Sequence, residues 1–134
     1  MATRHQVREC VVGLLYAFDI GNKEIEKFID ELFEEKKIRN HQKEFALGLF
    51  NGVKDNCEAI DLAINNHLKE WELDKIGNVE RAILRLGAYE ILHSSLDNAV
   101  IINEAIELSK ELCNDTSPKF INGVLDAICK ELEK

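Results

Sequence analysis

Proline is almost missing from this chain, with one in 134 residues, and glycine is sparse at seven. A many-stranded β protein needs turn chemistry every 8–12 residues or so, and these two residue types supply much of it, which excludes that class. Long apolar runs are missing too. No stretch approaches the roughly 18 residues a membrane-spanning helix needs. The opening MATRHQVREC has no apolar segment of signal-peptide length behind its basic residues. The expectation is a cytoplasmic protein without membrane contact. The four cysteines, Cys10, Cys57, Cys113 and Cys129, form no C-x-x-C pair. Disulfide frameworks and zinc knuckles need clustered spacing, so reduced, core-packed thiols and no metal are expected.

Catalytic patterns are equally scarce. Glu90-x-x-His93 is half of a di-iron carboxylate site, and no second E-x-x-H accompanies it. His41-x-x-Glu44 and His67-x-x-Glu70 stand alone, and no H-E-x-x-H, P-loop, G-x-G-x-x-G or G-x-S-x-G occurs. No catalytic residue and no cofactor are therefore expected. Such a chain works by binding.

What is present is a helical pattern. Apolar residues make up 46% and charged residues 31%, a globular balance, and the length fits one domain spanning residues 1–134. Thr3 and Gln6 make a capping box ahead of a stripe of Val7, Cys10, Val11, Leu14, Leu15 and Phe18, ending near Gly21. Asn22 is expected to cap a second helix (Ile25, Phe28, Ile29, Leu32, Phe33). Asn40 is expected to cap a third, long one running from Phe45 to Ile64. Gly48 and Gly52 within it predict close packing of another helix. A short helix or turn leads to Asn78 and a fifth helix. Asp97 caps a sixth, and Ser117-Pro118 starts a seventh. About seven helices joined by short loops make an all-α bundle.

Net charge is −8, from 17 basic and 25 acidic residues, which argues against unspecific nucleic-acid binding. Residues 1–18 are nevertheless locally positive through Arg4, Arg8 and the α-amine against Glu9. Arg4 and Arg8, four apart, are expected on one helix face, where guanidiniums can fork onto phosphates while His5 and Gln6 add hydrogen bonds. A solvated amphipathic face fits the same residues. Lys119 and Phe120 open the last helix, where a cation beside an aromatic can pair a phosphate and stack an unpaired base. Phe120 fits the core stripe with Val124 and Leu125 equally. Arg81 and Arg85 suit a structural role near Glu80 and Asp74. Tyr16, at the margin of the first stripe, is either core edge or protein anchor.

The strings RECVVGLLYAFD, NVERAILRLGAYEI and INEAIELSK followed by KFINGVLDAI resemble the NusB family of bacterial transcription antitermination factors, from about residue 4 to 128. The INEA-x-EL-x-K and KF-x-NGVLD pair also resembles the RNA-binding domain of ribosomal-RNA cytosine methyltransferases. No methyltransferase domain follows, so the stand-alone factor is expected. The resemblance implies a compact all-helical fold of two packed sub-bundles. It implies binding of boxA RNA in nascent ribosomal-RNA transcripts, as a heterodimer with the ribosomal protein NusE, within the RNA polymerase elongation complex and its other Nus factors. Carried onto this chain, the RNA-binding residues are Arg4, His5, Gln6 and Arg8, then Thr116, Ser117, Lys119 and Phe120, with Arg85 nearby. The NusE-facing residues are Tyr16, Asp74 and Glu80. Some relatives self-associate, which leaves a homodimer open. Family members often carry further arginines where this chain has His5 and Gln6, and Pro-Tyr-Lys where it has Asp97-Asn98-Ala99. The amino end of the first helix and the start of the last are expected to lie side by side as one cationic groove. Two alternatives remain: a detached RNA-recruiting module for a ribosomal-RNA methyltransferase, and a protein-only adaptor without RNA binding.

Overall fold

A computed structural model describes residues 2–68 and 73–133, except for the side chain of Asp74. Among the described residues there are seven α-helices and no strand. Helix α1 (Arg4–Asp19) begins with the expected capping box: Thr3 Oγ1 accepts the Gln6 N–H at 3.1 Å, and Gln6 Oε1 accepts the Thr3 N–H at 2.9 Å. Gly21, at φ 98°, turns the chain away after it. The second expected helix opens instead as a 3-10 segment, Lys23–Phe28, without a capping bond from Asn22, and becomes α2 only over Ile29–Glu35.

The long third helix is in fact two, α3 (His41–Asp55) and α4 (Cys57–Asn65). Asn56 interrupts it. Its side-chain amide donates to the Gly52 carbonyl at 2.8 Å beside its own backbone N–H at 3.2 Å, the local competition that makes asparagine a helix breaker. Helix α5 (Asn78–His93) follows a 3-10 turn at Leu73–Lys75 and starts from Gly77. Asp97 caps α6 (Asn98–Leu112) by accepting the Ala99 N–H at 2.9 Å. Ser117 is the first residue of α7 (Ser117–Leu132), with Pro118 in its first turn, where a missing N–H costs nothing.

Helix α5 is the shared element. It packs against α1, α3 and α4 on one side and α6 and α7 on the other, giving the two sub-bundles. Ala82, Ile83, Leu84, Leu86, Ala88 and Ile91 of α5 are all buried. Two glycines permit the close approach: a methyl at Gly52 would run into the Tyr89 ring, and one at Gly87 would sit 2.8 Å from Leu125. Gly48 faces open space, so only half of the expectation for the Gly48–Gly52 pair holds. All four thiols are free. Burial pushes the Cys10 thiol up to about 11 and the Cys113 thiol up to about 12, leaving both protonated at neutral pH. No described helix is long and apolar enough to cross a membrane.

Candidate nucleic-acid interface

The amino end of α1 rests on α6 through His5. Its Nδ1 lies 2.7 Å from Glu104 Oε2 and its Nε2 2.8 Å from Glu111 Oε1. Two carboxylates on two ring nitrogens favour the imidazolium, in which both nitrogens donate. The hydrogen bond to Glu104 leads in raising the His5 pKa against the opposing effect of burial, and Glu111 adds to the rise. Arg4, one residue earlier, is exposed, with its guanidinium carbon 3.8 Å from the centre of the Phe45 ring. Gln6 is exposed, and its side-chain oxygen is used by the capping box. Arg8 turns the other way. It is 4% exposed, and its Nε and Nη2 donate to the two oxygens of Glu90, each at 2.8 Å.

At the other end of α1, Asp19 meets two arginines of α5. Arg81 Nε donates to Asp19 Oδ2 at 2.8 Å and Arg85 Nη1 to Asp19 Oδ1 at 3.0 Å. Arg85 also grips Asp61 of α4 at 2.8 and 2.9 Å. Burial would raise the Asp19 pKa, but the hydrogen bonds and charges of Arg81 and Arg85 together outweigh it and hold the carboxyl below its usual range. Burial likewise opposes the Arg85 charge, and the hydrogen bond and charge of Asp61, joined by the bond to Asp19, together offset it. This network ties α1, α4 and α5 together.

The start of α7 is organised by Asn114, whose Oδ1 accepts from the Thr116 N–H at 3.0 Å and from its hydroxyl at 2.7 Å. Ser117 is 4% exposed; its hydroxyl lies 3.1 Å from Glu80 Oε2 and 3.2 Å from Asn114 Oδ1. Lys119 is exposed and in no ion pair among the described residues, and Phe120 is half-buried against the core. His5 reaches Glu111, and α7 begins six residues later; at about 3.4 Å per residue these elements stand within roughly 20 Å of each other. A hollow of about 720 Å³ runs along the outer face of α1, lined by Gln6, Glu9, Gly13 and Tyr16 on the helix, and by Lys36, Lys37, Val79 and Leu112 around it.

The NusB family model matches residues 5–130. The chain belongs to the NusB family. It is 59% identical over 133 residues to the transcription antitermination protein NusB of a Nitratiruptor species, covering 99% of this chain and 96% of that protein. It is 62% identical over 130 residues to that of Aliarcobacter butzleri, covering 97% and 99%. Among solved structures it is similar to T. maritima NusB, with a TM-score of 0.89 and 33% identity over 97% of this chain and 92% of that one. It is also similar to a chain in the crystal structure of the antitermination factors NusB and NusE in complex with double-stranded RNA. There the TM-score is 0.84 and the identity 32%, covering 96% of each chain.

On this NusB fold, Arg4, His5 and Gln6 stand at the tip of α1, and Thr116, Lys119 and Phe120 at the start of α7. Three expected RNA ligands stand elsewhere than on an open face. Arg8 does not share the outer face with Arg4, because its guanidinium is in the interior against Glu90. Arg85 is bound to Asp19 and Asp61 and has 15% of its side chain exposed. Ser117 is likewise internal, used to join α7 to Glu80. The surface between the two elements carries Glu9, Glu104 and Glu111 beside Arg4 and Lys119, so it is mixed in charge rather than a cationic groove. Tyr16 is 36% exposed on the hollow and Glu80 is half-buried. The side chain of Asp74 lies outside the described residues. No local pattern marks Glu90 or Asp61 as partners: each sits tens of residues from the arginine it pairs with.

Proposed function

We propose that this chain is a transcription antitermination factor that holds boxA RNA of nascent ribosomal-RNA transcripts as a heterodimer with NusE, supporting processive transcription by RNA polymerase together with other Nus factors. Its likeness along 96% of its length to the NusB chain solved with NusE and double-stranded RNA carries this reading. The whole chain acts as one RNA-binding domain in the cytoplasm. RNA is held by Arg4 and the Gln6 amide at the tip of α1, and by Thr116, Lys119 and the Phe120 edge at the start of α7. His5, clamped between carboxylates, fixes the tip more than it binds phosphate. Arg8 and Arg85 act as internal ties that set the helices in place. The protein partner faces Tyr16 and Glu80, with Asp74 beside them; carboxylates there suit a basic ribosomal protein.

Few free cations on a chain of net charge −8 predict weak RNA binding alone. A partner that touches the same strand adds its contacts through effective concentration. A gel shift with boxA RNA should therefore show NusE tightening binding at least about tenfold, near 1.4 kcal/mol. Equal affinity with and without NusE would refute the shared-strand mechanism. No shift under either condition would favour a protein-only adaptor, a reading in line with the internal placement of Arg8 and Arg85.

A further inference from the structure

We propose that the end of the hollow beside Ala2 and Gln6, about 15 Å along α1 from the partner-facing Tyr16, is a second RNA-backbone subsite, in which Lys36 and Lys37 pair phosphates of a strand crossing the amino end of α1. This deepens the RNA-binding reading and rests on it. On a chain of net charge −8, the lining of this hollow reverses sign, with two lysines against the single carboxylate of Glu9. Both lysines are exposed and neither is in an ion pair among the described residues. Their neighbours Arg39 and Lys43 are taken by Glu34 and Asp30. Across the hollow stand Ala2 and Gln6, beside the first turn of α1 with its outward N–H groups and the exposed Arg4.

The backbone sets the two lysines in place. Lys37 N–H bonds the Glu34 carbonyl at 3.2 Å and Ile38 N–H the Phe33 carbonyl at 2.8 Å, while the Ile38 side chain is buried. This is a Schellman ending, whose left-handed residue is most often glycine. Here it is Lys37, at φ 59°. The chain carries a cation where local geometry favours a residue without a side chain, and it does so on the rim of the hollow.

That backbone also supplies a clean test. Lys37→Gly removes the charge and suits the left-handed conformation, so loss of folding cannot explain its effect; Lys36→Gln removes the other charge. In the NusE heterodimer with boxA RNA, the double variant should bind about tenfold more weakly. Its plot of log affinity against log salt should be flatter by about 1.4, the slope of two single-strand phosphate contacts. NusE affinity should be unchanged, the melting temperature unchanged or raised, and Lys23→Gln should have no effect on either reading. Wild-type affinity and slope in the double variant would overturn the subsite. So would a loss confined to NusE binding, which would extend the partner surface at Tyr16 to the two lysines. Failure of the unaltered heterodimer to bind boxA would instead remove the underlying RNA reading, and the subsite with it.

Discussion

Arg8 and Glu90 form a two-point ion pair inside the molecule, 2.8 Å at each contact, with 5% and 3% of their side chains exposed. The pair locks the amino half of α1 to the carboxyl half of α5, and hydrogen bonding to Glu90 raises the Arg8 pKa. Breaking one member of such a pair leaves an uncompensated buried charge, which costs about 3–5 kcal/mol. Arg8→Glu or Arg8→Ala should therefore destabilise the fold by about that amount in urea unfolding. The double replacement Arg8→Met, Glu90→Leu should recover much of the loss. Full stability of Arg8→Ala would show that the pair contributes nothing. Any loss of RNA binding in single Arg8 variants has to be read through this loss of structure.

His5 predicts a pH dependence with a definite sign. Its pKa is raised in the folded chain, first by the hydrogen bond to Glu104. Its contribution to stability is thus complete below about pH 6.5, the unfolded value, and is lost as pH rises through the higher folded value. Melting temperatures of the native chain and His5→Gln should differ most on the acid side and converge above the folded pKa. An imidazole titrating at or below about 6.5 by NMR would refute the clamp.

Gly48 and Gly52, one turn apart on α3, should respond to the same substitution in opposite directions. Gly48→Ala meets open space in a helix interior and should stabilise by about 0.5–1 kcal/mol. Gly52→Ala drives a methyl into the Tyr89 ring, which itself stacks on His93, and should destabilise by about 1–3 kcal/mol. Chemical unfolding of the two variants checks both signs.

Tyr16 is exposed along the hollow, so Tyr16→Asp should leave helicity and melting temperature intact. NusE affinity should fall at least about tenfold, since a partly exposed aromatic anchor is replaced by a charge. Calorimetry showing an unchanged heterodimer would exclude Tyr16 from the partner surface.

Much of this fold was legible in local patterns. The Thr3–Gln6 box, the Asp97 cap and Pro118 each act within a turn of the backbone, and the apolar stripes declare which face each helix buries. The breaks at Asn56 and over Lys23–Phe28 were less legible, because there side chains and tertiary contacts compete with a continuing helical pattern. Sequence by itself determined the helical class, the family and the two elements bearing the candidate interface. Only the tertiary structure decided which cations remain free. Arg4 and Arg8 look equivalent at a spacing of four, yet a carboxylate 82 residues away takes one into the interior and leaves the other at the surface. The physical reason is that a helical period fixes directions about one axis, whereas the partner of a charge is fixed by how separate axes pack.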